Sequence, residues 1–137
     1  MRKLMAIVIG LIVAFLIVLA VDWFNELLHP LPIDLDYADD AAWREVVDSM
    51  SFDEKLLDVL AWLFGGFGGA WMALRVCDWK WAGWGVVVVV LGYALFFISG
   101  APYPLWMKIC AVALPLLGGV IAVRLHHKPY PGEPLLG

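Results

Sequence analysis

The chain of 137 residues carries a formal charge of −4; 64% of its residues are hydrophobic and only 16% are charged. Soluble domains average roughly a quarter charged residues, and here the apolar residues form runs near the ~20 residues that cross a bilayer. The composition therefore excludes a soluble domain, and without a patch of lysine and arginine it also excludes nucleic acid as a partner. It predicts an all-α membrane protein whose main partner is the lipid bilayer.

The first predicted transmembrane helix covers about residues 4–28. Residues 4–21 contain no charge, a run longer than the apolar part of a usual signal peptide. Pro30 and Pro32 end the helix, because proline lacks the amide hydrogen that a helix needs. We expect this segment to remain uncleaved as a membrane anchor.

An acidic outer segment is predicted at residues 30–51. Eight of the thirteen acidic residues of the chain lie between positions 34 and 54. Four apolar residues in this region recur at helical spacing: Trp43, Val46, Val47 and Met50. This stripe predicts a short outer amphipathic helix, capped by Asp39 or Asp40, that lies on the membrane surface.

Three further transmembrane helices are predicted at about residues 52–76, 83–99 and 105–123. Ser51 and Glu54 form a capping box at the start of the first of these. The valine run 86–90 is assigned to a helix, since an isolated strand leaves its backbone unsatisfied in lipid. The prediction is a single four-transmembrane-helix bundle over residues 1–125, followed by a flexible cytoplasmic tail at 126–137.

The distribution of basic residues predicts the orientation of the bundle. Six lie at one end: Arg2, Lys3, Arg75, Lys80, Arg124 and Lys128. Three lie at the other: Arg44, Lys55 and Lys108. Because cytoplasmic loops collect lysine and arginine, we expect both termini to be cytoplasmic and the acidic segment to face outward.

Small residues form a strip along the second transmembrane helix at a spacing of four: Ala61, Gly65, Gly69 and Ala73. Gly66 and Gly68 widen this strip, and the last helix offers a partner strip of five residues: Ala111, Pro115, Gly118, Gly119 and Ala122. Small residues let two helix backbones approach closely in a membrane, so the strip indicates either a contact between these two helices or a homodimer seam or close ligand approach. If the strip of the second helix packs against the last helix, we expect three aromatic residues of the second helix to face lipid or a neighbouring subunit: Trp62, Phe67 and Trp71.

Ionisable residues gather at the outer end of the bundle. Asp22, Glu26 and His29 share one face of the first helix, and Asp58 lies in the second. Lys55 and Lys108 enter at the same level as possible counter-ions. Ionisable groups near hydrocarbon are costly unless paired, so the cluster is either a structural set of ion pairs or a cation or proton site.

The second interpretation allows two chemistries. Two carboxylates and an imidazole can bind a metal ion such as Zn²⁺ or relay a proton. No hydrolase, metalloprotease or phosphate-binding motif accompanies them. The sequence therefore indicates no catalytic residue, no cofactor and no resident metal.

Four short motifs carry a resemblance to a known family: Pro30-Leu-Pro32, Phe52-Asp-Glu-Lys55, Gly65 to Gly69, and Pro102-Tyr-Pro104-Leu-Trp106. Together, over residues 1–125, they resemble an uncharacterised family of small four-helix bacterial integral membrane proteins. The resemblance implies the four-helix topology and a bacterial inner membrane, and it implies no known activity. That family often has a histidine where Trp62 stands here.

Two functions are weighed above a membrane enzyme, for which no nucleophile–base pair is found. The first is a non-enzymatic accessory or structural membrane component, alone, as a homodimer or beside a larger membrane-protein partner. The second is a homo-oligomeric small-solute or cation/proton transporter that uses the outer acidic cluster. Pairing of Asp58 and Glu26 with Lys55 or Lys108 would favour a structural cluster, and convergence on an open pocket would favour a site.

Overall fold

The computed structural model describes residues 1–31 and 39–126. Helices make up 87% of these residues, and no strand occurs among them, so the all-α class is confirmed. The helices are α1 (Arg2–Leu28), α2 (Asp40–Ser49), α3 (Phe52–Val76), α4 (Lys80–Ser99) and α5 (Leu105–Leu125). All except α2 are long and apolar enough to cross a membrane.

The helix bounds follow the predictions closely, with one clear exception. The bounds of α3 coincide with the prediction. Helix α1 begins two residues before its predicted start, at Arg2, and α5 ends two residues after its predicted end, at Leu125. By contrast, α4 begins at Lys80 rather than at Gly83. The prediction placed Lys80 and Trp81 in a loop, whereas lysine and tryptophan also occur within helix ends at the membrane interface. Predictions for residues 32–38, which include Pro32 and part of the predicted outer segment, and for residues 127–137 lie outside the described residues.

Helix α3 is the centre of the bundle. It packs against α1, α4 and α5, and α4 also contacts α1 and α5, while α1 and α5 do not meet. The end at which α1 stops and α3 starts is called the acidic end below. There Asp39 caps the start of α2, because its carboxylate accepts a hydrogen bond from the Ala41 amide at 2.9 Å, and Val47 of α2 is buried in the core.

The main residues of the predicted strips are all buried, but at least three of them face α1 rather than the last helix: Gly65, Gly69 and Ala73. The six residues are Ala61, Gly65, Gly69, Ala73, Gly118 and Gly119. A Cβ atom on Gly65 would lie 3.2 Å from the Ala14 carbonyl oxygen. One on Gly69 would lie 2.7 Å from the carbonyl oxygen of Gly10. Gly65 and Gly69 thus pack on α1, and their predicted contact with the last helix was wrong. The predicted contact between the second and fourth transmembrane helices is present, because α3 packs against α5.

The glycines of α5 use other surfaces. A Cβ on Gly118 would lie 2.5 Å from the Leu63 carbonyl oxygen, and one on Gly119 would lie 2.5 Å from Val87 of α4. On α3 it is Gly66, one residue beyond Gly65, that faces Pro115 of α5. Because one residue turns a helix by about 100°, α3 has two small faces and holds a helix against each.

Trp62 also differs from its prediction. Only 3% of its surface is exposed, and it packs in a core cluster with Val47, Tyr103 and Met107. The expectation that Trp62 faces lipid was wrong, because it followed from placing α5 on the other face of α3. Phe67 and Trp71 are partly buried, with ring centroids 5.9 Å apart.

The capping box predicts a measurable contribution to stability. The Ser51 hydroxyl accepts from the Glu54 amide at 3.4 Å, and the Glu54 carboxylate accepts from the Ser51 amide at 3.3 Å. Ser51→Ala should lower the free energy of unfolding by about 1 kcal/mol, since it removes one of these bonds. Titration with sodium dodecyl sulfate, followed by circular dichroism, measures the change. Ser99→Ala is the control, because its hydroxyl bonds only to the Phe96 carbonyl of its own helix; equal losses would contradict the prediction.

Candidate functional site

A half-open cavity of about 170 Å³ lies at the acidic end of the bundle. Helices α1 to α4 and the turn between α4 and α5 contribute to its walls. Four carboxylate residues line this acidic-end cavity: Asp22, Glu26, Glu54 and Asp58. His29, which follows α1, lines it as well.

Helical spacing explains why these side chains meet. Asp22, Glu26 and His29 lie four and three residues apart, which places them on one face of α1. Glu54 and Asp58 are four residues apart on α3 and share a face in the same way. The close packing of α1 on α3 then brings the two faces together. All four residues of the predicted cation or proton site line the same cavity.

Asn25 links the two helices at this cavity. It is 6% exposed, and its Nδ2 donates to the Asp58 Oδ1 at 2.7 Å and to the Glu54 carbonyl oxygen at 3.1 Å. The two acceptors fix the orientation of the amide, because only its nitrogen can donate. Its Oδ1 is buried without a hydrogen-bond partner. Since an unpaired buried acceptor costs about 1–3 kcal/mol, the arrangement favours a ligand that donates a hydrogen bond.

The predicted lysine counter-ions do not pair with the acidic residues. Across residues 1–31 and 39–126, no lysine or arginine nitrogen lies within 4.0 Å of a carboxylate oxygen. Lys55 follows Glu54, so it points about 100° away from the face that lines the cavity. Lys108 is exposed beside the buried Met107. The assignment of Lys55 and Lys108 as counter-ions was therefore wrong for the described part of the chain.

His29 is the one basic side chain of the lining that the structure describes. Its Nε2 lies 3.7 Å from Oδ2 of Asp53, a carboxylate at the start of α3. This contact is an ion pair only when the imidazole is protonated. With four carboxylates and one imidazole, the described lining has an excess of acidic groups.

Aromatic rings form much of the remaining wall: Trp43, Trp62, Tyr93, Phe97 and Tyr103. Phe97 stacks on Tyr103 with ring centroids 6.0 Å apart and on Tyr93 at 6.3 Å. Tyr93 and Phe97 lie one turn apart on α4, and Tyr103 belongs to the following turn. The cavity therefore has an acidic side on α1 and α3 and an aromatic side built mainly by α4 and the turn.

The hydroxyl group of Tyr103 stays protonated. Burial raises the pKa of Tyr103 above its ordinary value, and the negative charges of Asp58 and Asp22 raise it further. The charges of Asp58 and Asp22 contribute to this shift after burial, so the acidic side of the cavity also acts on its aromatic side. Tyr103 can donate or accept a hydrogen bond there, and it does not act as a base.

The residue types that line the cavity limit the reactions and ligands that the site can support. Its described residues include no serine, threonine, cysteine or lysine, the usual nucleophiles of covalent catalysis. In the described ranges, no three histidine, cysteine or acidic side chains are arranged to hold a metal ion. What the lining does offer is negative charge, one unpaired acceptor and aromatic surface. These are features of a binding site for a cation.

Several of these residues escaped the sequence analysis. Glu54 was recognised only as a helix cap, and the aromatic residues were not connected with the acidic cluster. The one available signal was the four-residue spacing of Tyr93 and Phe97, which places two rings on one face of α4. Asn25 lay beside the cluster in sequence, but its bridge to α3 depends on the packing of the two helices.

The fold and the cavity define a small, multi-pass α-helical membrane protein with an acidic and aromatic cavity at one end. Comparison of the chain with protein-family models, with curated proteins and with solved structures finds no match.

Proposed function

We propose that this protein is a non-enzymatic accessory component of the bacterial inner membrane that binds a small cation in the acidic-end cavity. The observation that carries the proposal is the set of four carboxylate residues that line one cavity without a lysine or arginine beside them. With six basic residues at the opposite end, both termini are cytoplasmic and the cavity opens to the outside.

Electrostatics support a cation as the ligand. Removing a carboxylate from water is costly unless a positive charge compensates for it, and no fixed side-chain cation of the described chain pairs with the partly buried Asp22 and Asp58. A cleft lined by one sign of charge also raises the local concentration of the opposite ion. The cavity is thus suited to capture a cation from the outer solution.

The packing below the cavity favours binding over passage through a single chain. Gly69 lies against Gly10 of α1 and Val86 of α4, and Gly118 lies against the α3 backbone. These contacts leave no room for a solute between the helices at those levels. The small residues are also buried within the chain, so they do not supply the seam that a homo-oligomeric transporter needs. Other surfaces would have to provide it.

Binding of simple cations tests the proposed function. In lipid nanodiscs at low ionic strength, at least one of sodium, potassium or n-butylammonium should raise the melting temperature, because a ligand of the folded state stabilises it. Asp58→Asn removes one charge but keeps an acceptor for Asn25, and it should abolish most of the shift. Intrinsic tryptophan fluorescence reports the melting.

The matched control is Asp48→Asn, an exposed acidic residue of α2 that does not line the cavity. It should respond to the cations as the unaltered protein does. If no cation shifts the melting temperature, or if Asp48→Asn loses the response as fully as Asp58→Asn, the cavity is not a cation site.

A further inference from the structure

We infer that the cation bound by the acidic-end cavity is a small primary ammonium ion with an apolar body, of the size of an alkylamine or a single-ring amine. This inference rests on the proposed cation-binding function. It adds the chemical class of the ligand, which follows from the unpaired acceptor, the aromatic wall and the size of the cavity.

The unpaired acceptor indicates a ligand that carries N–H groups. Asn25 is more than nine-tenths buried, it lines the cavity, and its Oδ1 has no partner. The Asp58 carboxylate accepts a hydrogen bond from the Nδ2 of the same amide. A primary ammonium group has three N–H donors, so once a small shift of the Asn25 side chain opens its buried Oδ1 to the cavity, the group can donate to that oxygen and to carboxylate oxygens at once. A quaternary ammonium ion has none to offer.

The aromatic wall distinguishes an organic ammonium ion from an alkali ion. Tyr93, Phe97 and Tyr103 form the aromatic side of the cavity, on α4 and the following turn, and Trp62 of α3 adds a fourth ring to the lining. Cations are attracted to the faces of aromatic rings, and the carbon part of an organic ion also gains contact with ring carbons. Hard inorganic cations instead require a shell of oxygen ligands. Oxygen atoms on one side and rings on the other match an ion with a charged head and an apolar body.

The size of the cavity limits the ligand. Its volume is about 170 Å³, close to the roughly 150 Å³ of an engineered apolar cavity that holds benzene. A ligand of roughly five to eight non-hydrogen atoms fits this space by that comparison. n-Butylammonium and benzylammonium lie in this range, and a bare sodium ion fills little of it.

Competition among four probes tests the inference in nanodiscs: n-butylammonium, tetramethylammonium, sodium and butan-1-ol. We expect n-butylammonium to bind at least tenfold more tightly than tetramethylammonium, which lacks N–H donors, and than sodium, which lacks an apolar body. Butan-1-ol, of similar size but neutral, should not bind. Isothermal titration calorimetry on the full chain gives the dissociation constants.

Two variants connect the affinities to named residues. Asp58→Asn should weaken n-butylammonium binding at least tenfold. Phe97→Leu, at a partly exposed ring of the wall, should weaken n-butylammonium several-fold and leave sodium unchanged. Asp48→Asn should change neither value. Melting curves of each variant without ligand show whether it folds, and Phe97→Leu serves the test if Asp58→Asn does not fold.

The outcomes separate this inference from the proposed function. Sodium binding as tight as n-butylammonium, sensitive to Asp58→Asn, would overturn the ammonium inference and leave the cation site standing. Tightest binding of tetramethylammonium would overturn the role of Asn25 as the acceptor for the ligand. Butan-1-ol binding as tight as n-butylammonium, or no binding by any probe, would overturn both the inference and the cation site.

Discussion

Replacement of Gly69 by alanine is expected to lower the free energy of unfolding by about 3 kcal/mol, at the upper end of the usual cost of overpacking. The new Cβ would lie 2.6 Å from the Ala14 Cβ, 2.7 Å from the Gly10 carbonyl oxygen and 2.8 Å from Val86. The Gly10 contact is with backbone, which cannot rotate away as a side chain can, so α1 has to move away from α3. Sodium dodecyl sulfate titration of the purified protein measures the loss.

Gly92→Ala is the matched control for this change. Gly92 lies within a membrane-spanning helix as Gly69 does, but a Cβ there meets no atom within 4 Å. Since alanine has the higher helix propensity by about 1 kcal/mol in peptides, Gly92→Ala should be neutral or slightly stabilising. A similar loss for both variants would mean that helix α1 does not pack on the Gly69 face of α3.

The fold could be predicted from the sequence largely because a membrane simplifies the problem. A helix in lipid must be long, apolar and complete in its own hydrogen bonds, so apolar runs locate each span. The start of α3 is also determined by its local sequence, since the capping box at Ser51 fixes the first residue of the helix. The error at the start of α4 arose where polarity alone was used to separate helix from loop.

The pairs of helices that pack together were harder to predict from the sequence. The strip at Gly65 and Gly69 indicated a close contact, but α3 carries a second small face at Gly66, and both α1 and α5 offer small residues. The α1 strip, at Ala6, Gly10 and Ala14, stands among uniformly apolar residues and so has no contrasting pattern around it. Spacing within one helix shows a close-packing face but does not identify the helix that covers it.

At the candidate site, too, residues on one helix could be predicted to lie together, whereas contacts between helices could not. The spacing of Asp22, Glu26 and His29 placed them together on α1, and the topology placed Asp58 at the same end of the bundle. The angular position of Lys55, about 100° from Glu54, was also present in the sequence and argues against its pairing into the cavity. The aromatic wall could not be foreseen, because its residues come from α2, α3, α4 and a turn that meet only in the folded bundle.

Trp62→Ala is expected to lower the free energy of unfolding by about 3 kcal/mol, because it leaves a void among the side chains that enclose the indole. Trp62 packs with Val47, Tyr103 and Met107 at 3% exposure. In lipid the transfer part of this cost is smaller than in water, since acyl chains are as apolar as leucine. The lost packing remains, and the expected value is therefore at the lower end of the range for buried tryptophan.

Trp81→Ala separates this packing effect from the general loss of an indole. Trp81 is 69% exposed on α4, so its removal should change the free energy of unfolding by less than about 0.5 kcal/mol. Because Trp62 also lines the acidic-end cavity, only Trp62→Ala should weaken n-butylammonium binding. Equal stability of the two variants would place Trp62 at the lipid surface, and it would remove one ring from the wall on which the ammonium inference depends.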